Sequence, residues 1–180
     1  LNKVLKWIRY HIPNKKDLLT RIQSANIFSK FDLKSGYWQI QIDEKDRYKT
    51  AFVVPMGHYE WNVMPFGLKN APSEFQNIMN DIFYPYSSFS IVYIDDILIF
   101  SSDLDQHFKH IHIFIKLIKN AGLVVSASKM SLFQTHIRFL GQEIDQGKII
   151  PIDRAIQFAN KFRDILQEKT NLPLPSTWRI

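Results

Sequence analysis

Ile91-Val92-Tyr93-Ile94-Asp95-Asp96-Ile97-Leu98-Ile99-Phe100 is the stretch that decides the fold. Two short apolar runs, 91–94 and 97–100, flank a pair of aspartates. Apolar runs of about four to eight residues bounded by turn signals read as buried strands. Two acidic residues between such runs read as the tight turn of a hairpin. Side chains alternate in direction along a strand, so this turn can hold a carboxylate at the rim of a sheet. Adjacent carboxylates repel one another unless a cation neutralises them, and hard oxygen ligands suit Mg²⁺. Aspartate is also an ordinary turn residue, so the pair by itself leaves a structural turn and a metal site both open.

Working upstream, residues 26–33 read as a strand that carries a second carboxylate, Asp32, at its end. Phe28, Lys30 and Asp32 share one face of it, Ile27 and Phe31 the other. Trp38, Ile40 and Ile42 alternate with Gln39, Gln41 and Asp43, which predicts a half-buried strand. Trp38 and Trp61 are then expected at buried sheet positions rather than stacked on bases. Residues 50–55 and 58–63 flank Met56-Gly57 as a hairpin. Asp17 is placed to cap a short helix through Leu18, Leu19 and Ile22. Asn70-Ala71-Pro72 reads as a helix start with Asn70 as cap. Phe75, Ile78, Met79, Ile82 and Phe83 follow at helical spacing, and Pro85 ends that helix.

Downstream, residues 103–121 form the strongest helical pattern, with Leu104, Phe108, Ile111, Ile115 and Ile118 as its stripe and Gly122 at its end. His107, His110 and His112 lie on this helix; their spacing fits no tetrahedral metal site, and they are expected on its polar face. Residues 123–125 and 137–144 read as strands, the second turning through Asp145-Gln146-Gly147 into Ile149-Ile150. Asp153 is expected to cap a last helix carrying Ile156, Ala159, Phe162 and Ile165. The order implies an α+β domain: an antiparallel sheet with helices packed on one face.

Composition narrows the partners. The chain has 180 residues, 46% hydrophobic and 22% charged, the profile of a soluble globular domain. Lys and Arg number 23 against 17 Asp and Glu, a net charge of +6, which favours polyanions, nucleic acid first. Cysteine is absent, so disulfides and thiolate metal sites are excluded. No apolar stretch is long enough to span a bilayer, and no signal-peptide pattern is present. The expectation is an intracellular, non-secreted protein with no membrane partner.

Two strand-end carboxylate sites, a glycine-bearing turn after Asp32, a capped helix with Lys69 near its start and a basic chain together fit phosphoryl transfer, which needs metals to neutralise a triphosphate. At these residues the chain resembles the palm of a reverse transcriptase. Phe31-Asp32-Leu33-Lys34-Ser35-Gly36-Tyr37 is similar to the first palm motif. Met64-Pro65-Phe66-Gly67-Leu68-Lys69-Asn70-Ala71-Pro72-Ser73-Glu74-Phe75-Gln76 is similar to the second, and Tyr93-Ile94-Asp95-Asp96 to the third. Residues 122–129 match the fourth and Arg138-Phe139-Leu140-Gly141 the fifth. Gly57-His58-Tyr59-Glu60-Trp61 most resembles plant pararetroviral polymerases of the caulimovirus type, with Ty3-type retroelements as close relatives.

The resemblance implies an RNA-directed DNA polymerase, with roles that fall residue by residue. Asp32 and Asp95, helped by Asp96 and the Leu33 carbonyl, would hold two Mg²⁺ ions, or Mn²⁺ in their place. Amides around Ser35 and Gly36 would hold the triphosphate of a dNTP. Tyr37 would crowd a ribose 2′-hydroxyl, or else serve only as core. Phe66 and Gly67 would pack on the incoming sugar and base. Tyr93, Phe139, Leu140 and Gly141 would meet the primer of an RNA or DNA template–primer, and Lys129 would protonate pyrophosphate.

The resemblance implies a reverse transcriptase domain over residues 1–170, made of palm and partial fingers without the basic N-terminal fingers hairpin. Residues 171–180, with prolines at 173 and 175, depart from the family and are expected as a disordered tail. Two rivals stay open: a catalytically silent nucleic-acid-binding remnant of an integrated element, and a two-metal nuclease drawing on Asp103 and Asp105.

Overall fold

The computed structural model describes residues 2, 3, 5, 6, 10 and 12–150. In chain order it contains α1 (Lys15–Thr20), β1 (Ile27–Asp32), α2 (Glu44–Arg47), β2 (Phe52–Val54), β3 (Gly57–Tyr59) and α3 (Ala71–Phe83). There follow β4 (Ser90–Tyr93), β5 (Asp96–Ser101), α4 (Leu104–Asn120), β6 (Ser131–Gln134), β7 (His136–Phe139), β8 (Gln142–Asp145) and β9 (Lys148–Ile150). The central sheet has the order β4-β5-β1-β6, and all its pairings are antiparallel. Two smaller sheets join β2 to β3 and β7 through β8 to β9. No helix among the described residues is long and apolar enough to cross a membrane.

The near-continuous apolar runs of β4 and β5 follow from burial on both faces. Phe31, Val92, Ile97 and Ile99 pack with Phe75, Met79 and Phe83 of α3 and Phe114 and Ile118 of α4. Their strand neighbours Phe28, Ile91, Leu98 and Phe100 pack instead with Leu18, Leu19 and Ile22 and with Ile137, Phe139 and Ile144. The architecture is the expected antiparallel α+β, with the two long helices on one face. The second face is also covered, by α1 and the β7-β8-β9 sheet.

Several local expectations are corrected. The cap of α1 is Asn14, whose side chain accepts from Lys16 N–H, and Asp17 lies in the first turn. Asn14 has the extended backbone of an N-cap, which Asp17 inside the helix does not. Residues 38–42 form no strand: Gly36–Gln39 is a 3₁₀ turn, and only Gln41 makes an isolated bridge, to Val63. The Gln39 amide ties itself to Lys34 O, Val124 O and Val124 N–H, so its alternating polarity reflects loop bonding rather than a solvent face. Asn70 precedes α3 but makes no side-chain cap bond; its amide donates to Lys6 O.

The long helix α4 is rotated from the expected stripe. Of that stripe Ile118 is buried and Ile111 packs on the core, but Leu104, Phe108 and Ile115 are exposed, and His107 and Phe114 are buried instead. His107 belongs inside because two buried hydroxyls meet it: Ser29 Oγ lies 2.8 Å from Nε2 and Ser101 Oγ 2.9 Å from Nδ1. Of residues 123–125 only Val125 pairs, as a bridge to Leu33, and β6 was not expected at all. The helix expected after Asp153 and the tail at 171–180 lie outside the described residues.

Candidate active site

The β4–β5 hairpin turns through Ile94 and Asp95, not through the aspartate pair, and Asp96 is already the first residue of β5. Ile94 has φ +53°, a left-handed conformation that β-branched residues rarely adopt. The turn is tied down on both sides. Gln76 Oε1 accepts from Ile94 N–H at 2.7 Å, and Asp95 O accepts from Leu33 N–H at 3.0 Å. Asp96 stands opposite Tyr93 on one side and Asp32 on the other. Directly opposed residues share a face, so Tyr93, Asp96 and Asp32 form one row across three strands.

The electrostatics of this row and of the adjoining Asp95 call for a cation. Asp95 Oδ1 is buried and has no hydrogen-bond partner. Burial pushes the Asp95 carboxyl above the usual carboxylate range, and the charges of Asp32 and Asp96 add to that. Burial also raises Asp96, against the pull of Lys30. One cation already answers in part: Lys129 Nζ, on the 3₁₀ turn Ala127–Lys129, lies 3.1 Å from Asp32 Oδ1. Among the described residues no three His, Cys, Asp or Glu side chains are gathered at metal-ligand spacing. The donors nonetheless fit a hard divalent ion, being carboxylate oxygens with one left orphaned in a buried position. Leu33 can add a carbonyl: the strand bonds around it run from Lys34 N–H to Val124 O and Ser126 N–H to Asp32 O, and neither uses Leu33 O.

Gly36 lets the first motif close on the third. A Cβ there would stand 2.1 Å from Asp95 Oδ1 and 2.9 Å from Phe75 Cζ. Ser35 before it has φ +53° and starts the 3₁₀ turn, whose leading N–H groups lack intrahelical partners. Tyr37 is half-buried, edge-on to Phe75 at 5.1 Å and to Phe66 at 5.2 Å. Burial raises its phenol, and the charge of Asp95 raises it further.

Phe66 and Gly67 border a cleft of 470 Å³ with Trp38, Trp61, Pro65 and Leu68. Trp38 and Trp61 stack at 6.5 Å, and Trp38 is 47% exposed. This corrects their expected burial; the chain leaves the sheet before Trp38, so no ladder buries it.

On the other side of the row, Lys15 Nζ lies 5.1 Å over the Tyr93 ring. Phe139 is buried in the core, which leaves Leu140 and Gly141 to form the outward turn, with φ +49° and +81°. Lys30 Nζ, 3.4 Å from Arg138 O, ties this hairpin to β1. The structure thus gathers Asp32, Leu33, Gly36, Tyr37, Asp95, Asp96 and Lys129, with the Phe66-Gly67 and Leu140-Gly141 turns beyond them. Gln76 escaped the sequence reading as a site residue; its only signal was a glutamine inside an otherwise apolar helix face.

A family model described as reverse transcriptase (RNA-dependent DNA polymerase) matches residues 1–144. The chain is 45% identical over 172 residues to the enzymatic polyprotein of Cauliflower mosaic virus (strain Strasbourg), covering 96% of this chain and 25% of the polyprotein. It is 46% identical over 164 residues to the genome polyprotein of Petunia vein clearing virus (isolate Shepherd), covering 91% of this chain and 8% of that one. Among solved structures, the foamy viral protease-reverse transcriptase in complex with RNA/DNA hybrid superposes with TM-score 0.77 at 26% identity, over 91% of this chain and 22% of the other. The same protein in complex with dsDNA gives TM-score 0.77 at 25% identity, over 97% and 34%. The chain therefore spans about a quarter of the cauliflower mosaic virus polyprotein that it matches.

Proposed function

The chain belongs to the reverse transcriptase family, whose members use divalent metal ions, and from that premise we propose that it is the palm of an RNA-directed DNA polymerase, with part of the fingers. The substrates are dNTPs and a primer on an RNA or DNA template. The observation that carries this reading is the buried, unpartnered Asp95 Oδ1 beside Asp32 and Asp96, at a place where Gly36 leaves no room for a side chain.

In this reading Asp32, Asp95 and Asp96, with Leu33 O, hold two divalent cations, Mg²⁺ or Mn²⁺. Cations bound there supply charge neutralisation for the triphosphate and for the primer 3′-oxygen. The protein's own work is positioning, which is most of the catalysis in phosphoryl transfer. The amides at Ser35 and Gly36 hold triphosphate oxygens. Tyr37, braced by Phe66 and Phe75, crowds the 2′ position of the sugar. Phe66 and Gly67 pack on the incoming nucleotide, and Tyr93 with the Leu140-Gly141 turn places the primer end. The primer 3′-hydroxyl gives up its proton to solvent as its oxygen attacks the α-phosphorus, the bond from that phosphorus to the bridging oxygen of the β-phosphate breaks, and Lys129 Nζ gives a proton to the departing pyrophosphate and regains one from solvent. Lys129 is already at the site, on Asp32.

Primer extension tests this reading. The chain is assayed alone and in frame within the Cauliflower mosaic virus polyprotein in place of its matching residues. Incorporation that depends on a divalent cation and is lost in Asp32→Asn and in Asp95→Asn is the expected result. Extension that survives either change refutes the site, and absence of extension in every form refutes the polymerase reading.

A further inference from the structure

We propose that Gln76 is a positioning residue for the turn that presents Asp95, an inference that rests on the metal role given to Asp95 above. Ile94 must hold a left-handed backbone at φ +53°, and such a conformation persists in a β-branched residue only where its surroundings over-determine it. The Gln76 amide supplies that determination. Its Oε1 accepts from Ile94 N–H at 2.7 Å, and its Nε2 donates to Val92 O at 3.2 Å, so one side chain grips the backbone on both sides of Tyr93.

The orientation of this amide is fixed by its two backbone partners and extended by a third bond. Nε2 also donates to Asn80 Oδ1 at 2.8 Å, one helical turn along α3, and Asn80 Nδ2 donates in turn to Tyr10 Oη at 2.7 Å. Ile94 N–H can only donate and Val92 O can only accept, so Oε1 of Gln76 must face the first and Nε2 the second, and Asn80 Oδ1 follows as the acceptor for the remaining proton. Gln76 is fully buried, and so is its bond to Val92 O, so that carbonyl has no water to turn to for a substitute. Its neighbour Phe75 meets Tyr37, and a Cβ at Gly36 would meet it too, so one turn of α3 sets the sugar-facing ring and the metal-facing turn through different residues. Loss of Gln76 is therefore expected to disturb the metal side and leave the sugar side alone.

Amide hydrogen exchange on the full 180-residue chain reads the turn without metal, nucleotide or nucleic acid. In Gln76→Met, close in volume but without the bonds, exchange at Ile94 N–H is expected to rise at least tenfold while the interior of β5 is unchanged. Mn²⁺ titration followed by paramagnetic resonance should show about tenfold weaker binding. Adding Ile94→Gly, which takes positive φ freely, should recover most of that loss, because the turn then needs no clamp. A residue with only a general packing role would show no such rescue. Unchanged exchange in Gln76→Met, or no recovery in the double variant, overturns the proposal. If the unaltered chain takes up no Mn²⁺, the metal reading of the carboxylates fails, while exchange at Ile94 still decides the clamp. Should Gln76→Met fail to fold, folding of the double variant supports the proposal and failure of both overturns it.

Discussion

Gly36→Ala adds one methyl group where the first and third motifs touch. The new Cβ would stand 2.1 Å from Asp95 Oδ1 and 2.9 Å from Phe75 Cζ, against an ordinary contact of 3.4–4 Å. Relief requires a shift on the order of 1 Å. Phe75 is fully buried and cannot yield readily, whereas Asp95 Oδ1 has no hydrogen bond to hold it, so the carboxylate moves. A misplacement of about 1 Å at a reacting centre costs about 10²-fold in rate, equivalent to roughly 2.7 kcal/mol of barrier.

The cost to stability of Gly36→Ala falls at the low end of the roughly 1–3 kcal/mol typical of overpacking. Gly122→Ala is the control: φ is +67° and nothing lies within 4 Å, so it pays only backbone strain, about 1 kcal/mol. Single-turnover primer extension and urea unfolding are measured on both variants, in the chain set within the Cauliflower mosaic virus polyprotein. Gly36→Ala should lose about 10²-fold in rate while staying folded, and Gly122→Ala should lose about 1 kcal/mol of stability with its rate unchanged. A rate for Gly36→Ala within about threefold of the parent would refute the contact between Gly36 and a working Asp95.

Tyr37→Ala should raise ribonucleotide incorporation relative to deoxyribonucleotide, because a steric clash is what excludes the 2′-hydroxyl; an unchanged ratio in single-nucleotide kinetics would make Tyr37 core alone. Lys129→Ala should slow incorporation by about 10²-fold, the range for loss of a general acid, and equal single-turnover rates would remove it from the chemistry. Burial, with a smaller push from His110, holds His107 down to about 4 from 6.5. The unfolded chain therefore takes up a proton near pH 6.5 that the folded chain refuses until about pH 4, so stability is complete above pH 6.5 and falls as pH drops through that window, by up to roughly 3 kcal/mol. Urea midpoints across this range should show the fall, and His107→Gln should flatten it; a slope indifferent to His107→Gln would rule this origin out.

Residues 91–100 carried the hairpin, the burial of its strands and the position of the carboxylates, because a local pattern of apolar runs around two acidic residues has few structural solutions. Asp32 at a strand end, the start of α3 at Ala71-Pro72 and a hairpin near Met56, whose turn falls at Pro55-Met56 with Gly57 already in β3, were legible for the same reason: each is set by neighbours within a few positions. Periodicity failed wherever distant groups decide. Trp38 alternates like a strand residue, yet Gln39 finds its partners at Lys34 and Val124 and draws the chain out of the sheet. The apolar stripe of α4 pointed one way, and the helix turned another because Ser29 and Ser101 hold hydroxyls in the core for His107.

The site divides along the same line. Its residue types belong to the sequence, since acidic pairs, glycine and an aromatic at fixed spacing can be read from the chain alone. Their state belongs to the fold. Packing of Gly36 against Asp95, the Lys129 ammonium on Asp32, and the grip of Gln76 on Ile94 each join segments far apart in the chain. Only their meeting around Asp95 leaves its Oδ1 buried and orphaned and its carboxyl raised by burial.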